Sequence, residues 1–187
     1  MTEWRWRRFE ELSVHELYAC MQLRQQVFVV EQNCLYLDAD GHDPVCIHGL
    51  GFRSRQLVAY ARILPAGRTY ETAAIGRVVT APATRGSGLG RMLMNEAIGE
   101  CTSRYPTEPI SIGAQLHLRA FYETLGFIAT GEPYDEDGIM HIDMVRPVND
   151  ATGATSDGAS ERGSTRVPDS SDSARAPSAV RDQTRQA

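Results

Sequence analysis

The sequence predicts an α/β (α+β) fold, with one domain over residues 1–146 and a tail over residues 147–187. Three observations lead there. A chain of 187 residues has room for one full hydrophobic core and would be cramped as two domains. Short β-branched runs alternate with stretches of helical spacing. Past Arg146 the composition shifts to Ser, Ala, Asp, Arg, Gly, Thr and Pro, with no aromatic residue and three valines as the only large apolar groups. Such a segment cannot bury enough surface to offset its ordering entropy, and disorder is expected of it.

Taken in order, Trp4, Trp6 and Phe9 mark a first strand with alternating faces. Ser13-Val14-His15-Glu16 reads as a capping box, with a hydroxyl at the cap and a carboxylate three residues later. It opens a helix whose Leu17, Tyr18, Met21, Leu23, Val27 and Phe28 form the apolar side. An acidic loop follows, Asp38 to Pro44, then a hairpin of Cys46–Phe52 and Leu57–Leu64 turning at Arg53-Ser54-Arg55-Gln56. Ile75 to Thr80 reads as a buried strand. Leu89, Met92, Leu93, Ala97 and Cys101 share one side of the next helix. Ile110–Ala114 is a strand, and Leu116–Leu125 a short helix with Leu118, Phe121, Tyr122 and Leu125 inward, closed by Gly126. Phe127–Thr130 and Ile139–Val145 are the last strands, joined by a turn over Tyr134 to Gly138.

The junction at residues 80–90 carries the chemistry. Pro82 stops the strand, Arg85-Gly86-Ser87-Gly88-Leu89-Gly90 turns, and helical spacing begins at Leu89. Glycines let the main chain approach a ligand, and the free N–H groups of a first helical turn attract anions. The chain contains no lysine, so all 19 of its basic residues are arginine. A Walker A loop, which needs Gly-Lys-Ser/Thr, is excluded. So is a dinucleotide fingerprint: the spacing is Gly86-x-Gly88-x-Gly90, and the strand Pro109 to Ala114 has no acid.

The spacing Arg85-x-x-Gly88-x-Gly90 resembles the pyrophosphate loop of the GNAT acetyltransferases. Leu23-Arg24-x-x-Val27-Phe28-Val29-Val30-Glu31-Gln32-Asn33-Cys34 and Ala59-Tyr60-Ala61-Arg62-Ile63-Leu64 look like the ElaA branch of that superfamily. So do Ile75-Gly76-Arg77-Val78, Gly113-Ala114-Gln115 with Phe121-Tyr122, and Glu136-Asp137-Gly138-Ile139 with His141-Ile142. The resemblance runs over about residues 3 to 146 in the same order. It implies the GNAT fold, a splayed mixed β-sheet flanked by helices, and acetyl-coenzyme A as acyl donor.

Acetyl transfer to an amine then asks four things of the chain. Arg85, Gly86, Ser87, Gly88, Leu89 and Gly90 are expected to hold the pyrophosphate, and Val78, Val79 and Thr80 to pair with pantetheine as an added strand would. A main-chain N–H there is placed to polarise the thioester oxygen. Tyr122, protonated at neutral pH, is the candidate acid for the departing thiolate, a place where the family often has a tyrosine. An amine of pKa near 10 costs about 4 kcal/mol to deprotonate at pH 7. Glu31 and His141 are the candidate bases, ahead of His48, His117, His15 and His42. The acids Asp38, Asp40, Asp43, Glu132, Asp135, Glu136 and Asp137 are read as attracting a cationic amine or as solvated turns.

Composition excludes other classes. A net charge of −5 argues against nucleic-acid binding, which leaves a basic footprint. Four scattered cysteines form no metal spacing, so no metal site is expected. The N-terminus has no apolar leader and no run reaches membrane-span length, which predicts a cytoplasmic enzyme with reduced thiols. The expected partner is an amine, small or peptide-borne, with no nucleic acid and no membrane, and the chain is read as a monomer or homodimer. Two alternatives stand beside N-acetyl transfer. Arg24 with Val27-Phe28 and the acidic stretch distantly resembles acyl-homoserine-lactone synthases, which implies a longer acyl donor. The other is a non-catalytic acyl-coenzyme A sensing module.

Overall fold

Trp4 and Trp6 lie in β1 (Glu3–Arg8), which pairs antiparallel with β2 (Ile47–Arg53) in a computed structural model. The structure describes residues 1–148, and the expectation for the tail lies outside them apart from Pro147 and Val148. β3 (Gln56–Leu64) completes the hairpin, and β4 (Ala73–Thr80) lines up beside it. β5 (Ile110–Gln115), β6 (Ile128–Glu136) and β7 (Ile139–Arg146) follow, giving one sheet in the order β1-β2-β3-β4-β5-β7-β6. Every neighbouring pair is antiparallel except β4 with β5.

Helices cover both faces. α2 (Leu89–Arg104) and α3 (Arg119–Glu123) pack on one face, over a core that includes Ile63, Ile75, Leu93, Met94, Phe127 and Met144. α1 (Val14–Arg24) covers the other, where Cys20, Leu23 and Val27 meet Leu50, Tyr60 and Val79. The capping box holds: Glu16 N–H donates to Ser13 Oγ at 3.2 Å and Ser13 N–H to Glu16 Oε2 at 3.0 Å.

Four local expectations change. α1 passes into a π-helical stretch, Gln25–Glu31. Tyr18 faces solvent at 70 % exposure, while Arg24 is buried at 1 %. On α2, Met94 is buried in place of Met92. The row Leu89, Leu93, Ala97, Cys101 drifts at 3.6 residues per turn toward the side Met94 occupies, which turns Met92 outward. β6 runs on through Tyr134 to Glu136, so the turn shrinks to Asp137-Gly138, both with positive φ (53° and 83°). That is the geometry of a two-residue hairpin, whose turn must match strand twist. The segment Leu116–Leu125 divides into a 3-10 turn, Leu116–Leu118, and α3.

Candidate active site

The site begins where the sheet forks. β4 and β5 are paired only at Ala73–Ile110 and Ala74–Ser111. Beyond those residues the strands part, so one edge of β4 from Ile75 to Thr80 keeps its main-chain groups free of β5. β3 holds the other edge of β4, with Ala59 opposite Thr80 and Tyr60 opposite Val79. Between Tyr60–Val79 and Arg62–Gly76 the β4 side has one residue more than the β3 side, and Arg77 takes a φ of 51°. This bulge adds twist and bends β4 away from β5.

The open edge leads into the glycine loop. A 3-10 turn, Pro82–Thr84, brings the chain to Arg85, and α2 starts after Gly88. Gly86 and Gly88 have φ of 73° and 77°, which other residues adopt only with strain. A Cβ on Gly86, Gly88 or Gly90 would meet no protein atom within 4 Å. The missing side chains therefore keep a space open in front of the helix mouth. Within α2, Met92 N–H donates to Gly88 O at 3.1 Å. The amides of Leu89, Gly90 and Arg91 precede that bond and are among those a helix start leaves without an intrahelical partner. An open strand edge, a clear cradle and free amides fit a pantetheine arm ending in a diphosphate.

Arg85 and Glu31 come together. Arg85 Nη1 and Nη2 donate to the two Glu31 carboxylate oxygens at 2.6 and 3.0 Å, in a pair exposed on both sides. Glu31 is thus engaged by the cation of the loop, at the end of the π-helical stretch. Tyr122 lies on the α2–α3 face with its ring edge-on to Phe121 and Phe127. Burial pushes its phenol up to about 12. Among the described residues its hydroxyl makes no hydrogen bond, and the only sealed, unpartnered side-chain polar atom is Arg62 Nε. The Tyr122 side chain is buried at 7 % exposure, but its unpartnered hydroxyl is not fully sealed from solvent.

His141 stands on the opposite face, two residues from Asp143 on β7. Its Nδ1 lies 2.9 Å from the carbonyl oxygen of Ile139 and its ring stacks on Tyr134. A carbonyl only accepts, so Nδ1 carries the proton and Nε2 keeps its lone pair in the neutral ring. His48 is structural: buried at 1 %, it bonds Tyr60 Oη and the Asp43 carbonyl.

The acidic loop does something the sequence reading did not foresee. Asp38, Asp40 and Asp43 close a ring with three arginines. Arg24 bridges Asp38 and Asp43, at 2.8 Å each. Arg77 reaches Asp38 at 2.7 Å and Asp40 at 3.2 Å. Arg62 reaches Asp43 at 2.9 Å and also pairs with Asp40. Three charges of each sign cancel. Burial alone would raise the Asp43 carboxyl, but the guanidinium bonds of Arg24 and Arg62 outweigh it and hold it below the usual range. Asp38 and Asp43 are buried, Asp40 is half-buried, and all three are held by arginines, so none is free to draw a cation. The arginines lie 15 to 53 positions apart in sequence (24, 62, 77), so no local spacing announced them.

Two other residues went unnoticed in the sequence, Tyr70 and Asp143. Tyr70 Oη and Tyr134 Oη both donate to Asp143 Oδ1, at 2.8 and 2.9 Å. Only the period-2 alternation of β7, with Ile142 and Met144 inward, placed Asp143 on the far face.

A forked mixed sheet with a glycine loop at the mouth of a helix defines a coenzyme A-dependent acyltransferase. Residues 50–147 match the family described as Acetyltransferase (GNAT) domain. Protein ElaA of Escherichia coli strain K12 is 49% identical over 150 residues, covering 79% of this chain and 98% of that one. Its crystal structure matches with a TM-score of 0.74 at 48% identity, over 78% of this chain and 99% of that one. An acyl-CoA N-acyltransferase from Pseudomonas aeruginosa matches at 42% identity and TM-score 0.75, over 78% and 99% of the two chains. A CoA-dependent acyl-homoserine lactone synthase, BjaI, shares the fold at 16% identity and TM-score 0.68, over 80% and 85%. The chain belongs to the GNAT acetyltransferase family, in its ElaA-like branch, and is an acyltransferase. Enzymes of this family use acyl-coenzyme A.

Proposed function

We propose that the chain is an N-acetyltransferase that passes the acetyl group of acetyl-coenzyme A to a primary amine, by direct attack in a ternary complex. The observation that carries this reading is the β4 edge, left open from Ile75 by the fork and running into the Arg85–Gly90 cradle. Arg85 and the amides of Leu89 and Gly90 hold the diphosphate, and Val78, Val79 and Thr80 pair with the pantetheine amides. A main-chain N–H of that stretch polarises the thioester carbonyl. His141 Nε2, with Nδ1 fixed on the Ile139 carbonyl, takes the proton that the amine loses. Glu31, the other candidate base, has its carboxylate engaged by Arg85 until the diphosphate competes for that cation. As the amine nitrogen bonds the carbonyl carbon and the C–S bond breaks, Tyr122 gives its proton to the sulfur.

Direct attack is favoured by the cysteines. Burial pushes the Cys20 and Cys101 thiols up to about 12 and the Cys46 thiol to about 11. All three are protonated at neutral pH and poor nucleophiles. Cys34 is buried, with Sγ 3.5 Å from the carbonyl oxygens of Gln32 and Asp137. We assign the chemistry to residues 1–146 and none to residues 147–187. Among the described residues no helix is long and apolar enough to cross a membrane, and we place the enzyme in the cytoplasm.

The test is thiol release from acetyl-coenzyme A across polyamines, amino acids, aminoglycosides and N-terminal peptides, with hexanoyl- and octanoyl-coenzyme A in parallel. Tyr122→Phe should lower kcat by about 10²–10⁴-fold with coenzyme binding intact. Tight coenzyme binding without turnover on any amine would instead indicate a sensing module. A clear preference for the long acyl chains would move the reading to a longer-chain acyltransferase.

A further inference from the structure

The fork has a second lip, on the face away from α2 and α3. β4 runs from its paired end, Ala73, toward the glycine loop after Thr80. A pantetheine arm anchored at that loop and lying on the β4 edge therefore points its acyl end back toward the apex of the fork. The first β5 residue past the apex that faces away from the α2–α3 core is Gly113, which is exposed. Its partner across the ladder is Asp143.

The setting of Asp143 is built, not incidental. Tyr70 comes from the β3–β4 connection, and Tyr134 from β6 just after an irregularity between Thr130 and Tyr134 that offsets the strand. Both hydroxyls converge on one oxygen, Oδ1. A Cβ on Gly113 would stand 3.0 Å from the Tyr70 hydroxyl and 3.3 Å from that of Tyr134, so a side chain there would crowd both donors. The second oxygen, Oδ2, has no hydrogen-bond partner among the described residues, and it is not sealed from solvent. Two donors thus hold one oxygen of the carboxylate and leave the other open, on the strand that lies beside Gly113 past the apex of the fork. The adjoining hairpin adds Glu132, Asp135, Glu136 and Asp137, all exposed. None of them pairs with an arginine among the described residues, and the basic group nearest Glu136 is His141, at 3.8 Å.

We propose that Asp143, aimed by Tyr70 and Tyr134, is an acceptor subsite that binds a second cationic group, so that the enzyme acts on diamines or other amines bearing an additional positive charge. This rests on the acetyltransferase reading above. The attacking amine sheds its proton to react, whereas the second cation keeps its charge and gives the carboxylate something to hold through the reaction. Asp143 acts on binding of the acceptor, and its loss is read in KM.

A matched set of four-carbon acceptors tests this on the full chain: 1,4-diaminobutane, n-butylamine and 4-aminobutanoate, with acetyl-coenzyme A. Wild type should favour the diamine over butylamine by about tenfold or more in kcat/KM, the range of one hydrogen-bonded charge, and should use the amino acid least. Asp143→Asn keeps the acceptor for both tyrosines. It should raise KM for the diamine about tenfold, leave kcat within threefold, abolish the diamine preference and leave coenzyme affinity by calorimetry unchanged. Should Asp143→Asn not unfold cooperatively, the Tyr70→Phe/Tyr134→Phe variant carries the test, with a several-fold rise in diamine KM expected. Wild-type indifference to the distal group, a preference that survives Asp143→Asn, or a loss confined to kcat would overturn the proposal while leaving acetyl transfer standing. A chain that binds no coenzyme overturns both.

Discussion

Replacing Asp43 by asparagine should destabilise the protein far more than any single change at the glycine loop. Asp43 Oδ1 accepts from Arg24 at 2.8 Å and from Arg62 at 2.9 Å, and the two arginine side chains are only 1% and 2% exposed. Asparagine keeps the shape and removes the charge, which leaves the ring with two aspartates for three guanidinium groups, two of them buried. Breaking a buried pair from one side costs about 3–5 kcal/mol, because the abandoned charge stays desolvated. At about 2–4 °C per kcal/mol for a domain of this size, Tm should fall by roughly 6–20 °C. Glu31→Gln removes one partner of an exposed pair and serves as the control, with an expected change of about 0–1 kcal/mol. Both are read by thermal and urea unfolding followed by circular dichroism. The same ring sets a pH dependence. The Asp40 and Asp43 carboxyls titrate lower in the folded chain than normal, so their stabilisation is complete above the unfolded value of about 3.9 and is lost as pH falls through the folded values. Stability of the wild type should drop below about pH 4, and Asp43→Asn should drop less steeply there. A variant that melts within 2 °C of wild type at pH 7 would refute the reasoning, since it would show the ring to be electrostatically idle.

Gly49→Ala should cost about 1–3 kcal/mol in urea unfolding, because its Cβ would lie 2.4 Å from ring atoms of Trp6; a change in tryptophan emission should accompany it, and an unaltered midpoint would show that the indole moves freely. Arg85→Ala should leave Tm within about 2 °C yet weaken coenzyme binding by about tenfold or more, the worth of a charge-assisted hydrogen bond. Calorimetry at two salt concentrations checks this, and wild-type affinity in the variant would take Arg85 out of the site. With Tyr122 held at about 12 by burial, kcat should show no basic limb from this group below about pH 10, and a limb near pH 8 that vanishes in Tyr122→Phe would contradict its placement.

What could be read in advance was whatever the chain writes locally. The capping box at Ser13, the strand–glycine–helix junction at Thr80 to Leu89 and the alternation of Trp4 and Trp6 on β1 each depend on neighbours within a few positions and appear where expected, whereas Phe9 falls in a 3-10 turn just past the strand. Met92 was misplaced because an i, i+3 step and an i, i+4 step mark different edges of one helical stripe. The length of β6 was missed because Pro133 and the acids after it resemble a turn, and the two-residue hairpin becomes visible only when β7 is paired. The fork was expected only through the family resemblance, since its place is marked by a bulge at Arg77 that a β-branched strand pattern does not reveal. Arg24, Arg62 and Arg77 meet only in the folded chain, and the sequence shows their three acidic partners as an ordinary charged loop.

That ring also explains which charges remain for a substrate to meet. Each of its cations touches two carboxylates, a task suited to the planar fork of arginine and not to the point charge of lysine. The pairing pins the loop after α1 to β3 and β4, and just before that loop Gln32 meets Gln115 at 3.3 Å and Cys34 meets the Asp137 carbonyl. One wall of the fork is thereby fixed with its charge cancelled. The acids of the β6–β7 hairpin and Asp143 have no such arginines, so the unpaired negative charge near the fork comes from that side. Of the two acidic stretches evident in the sequence, the earlier one builds the wall, and the later one is left to select what approaches it.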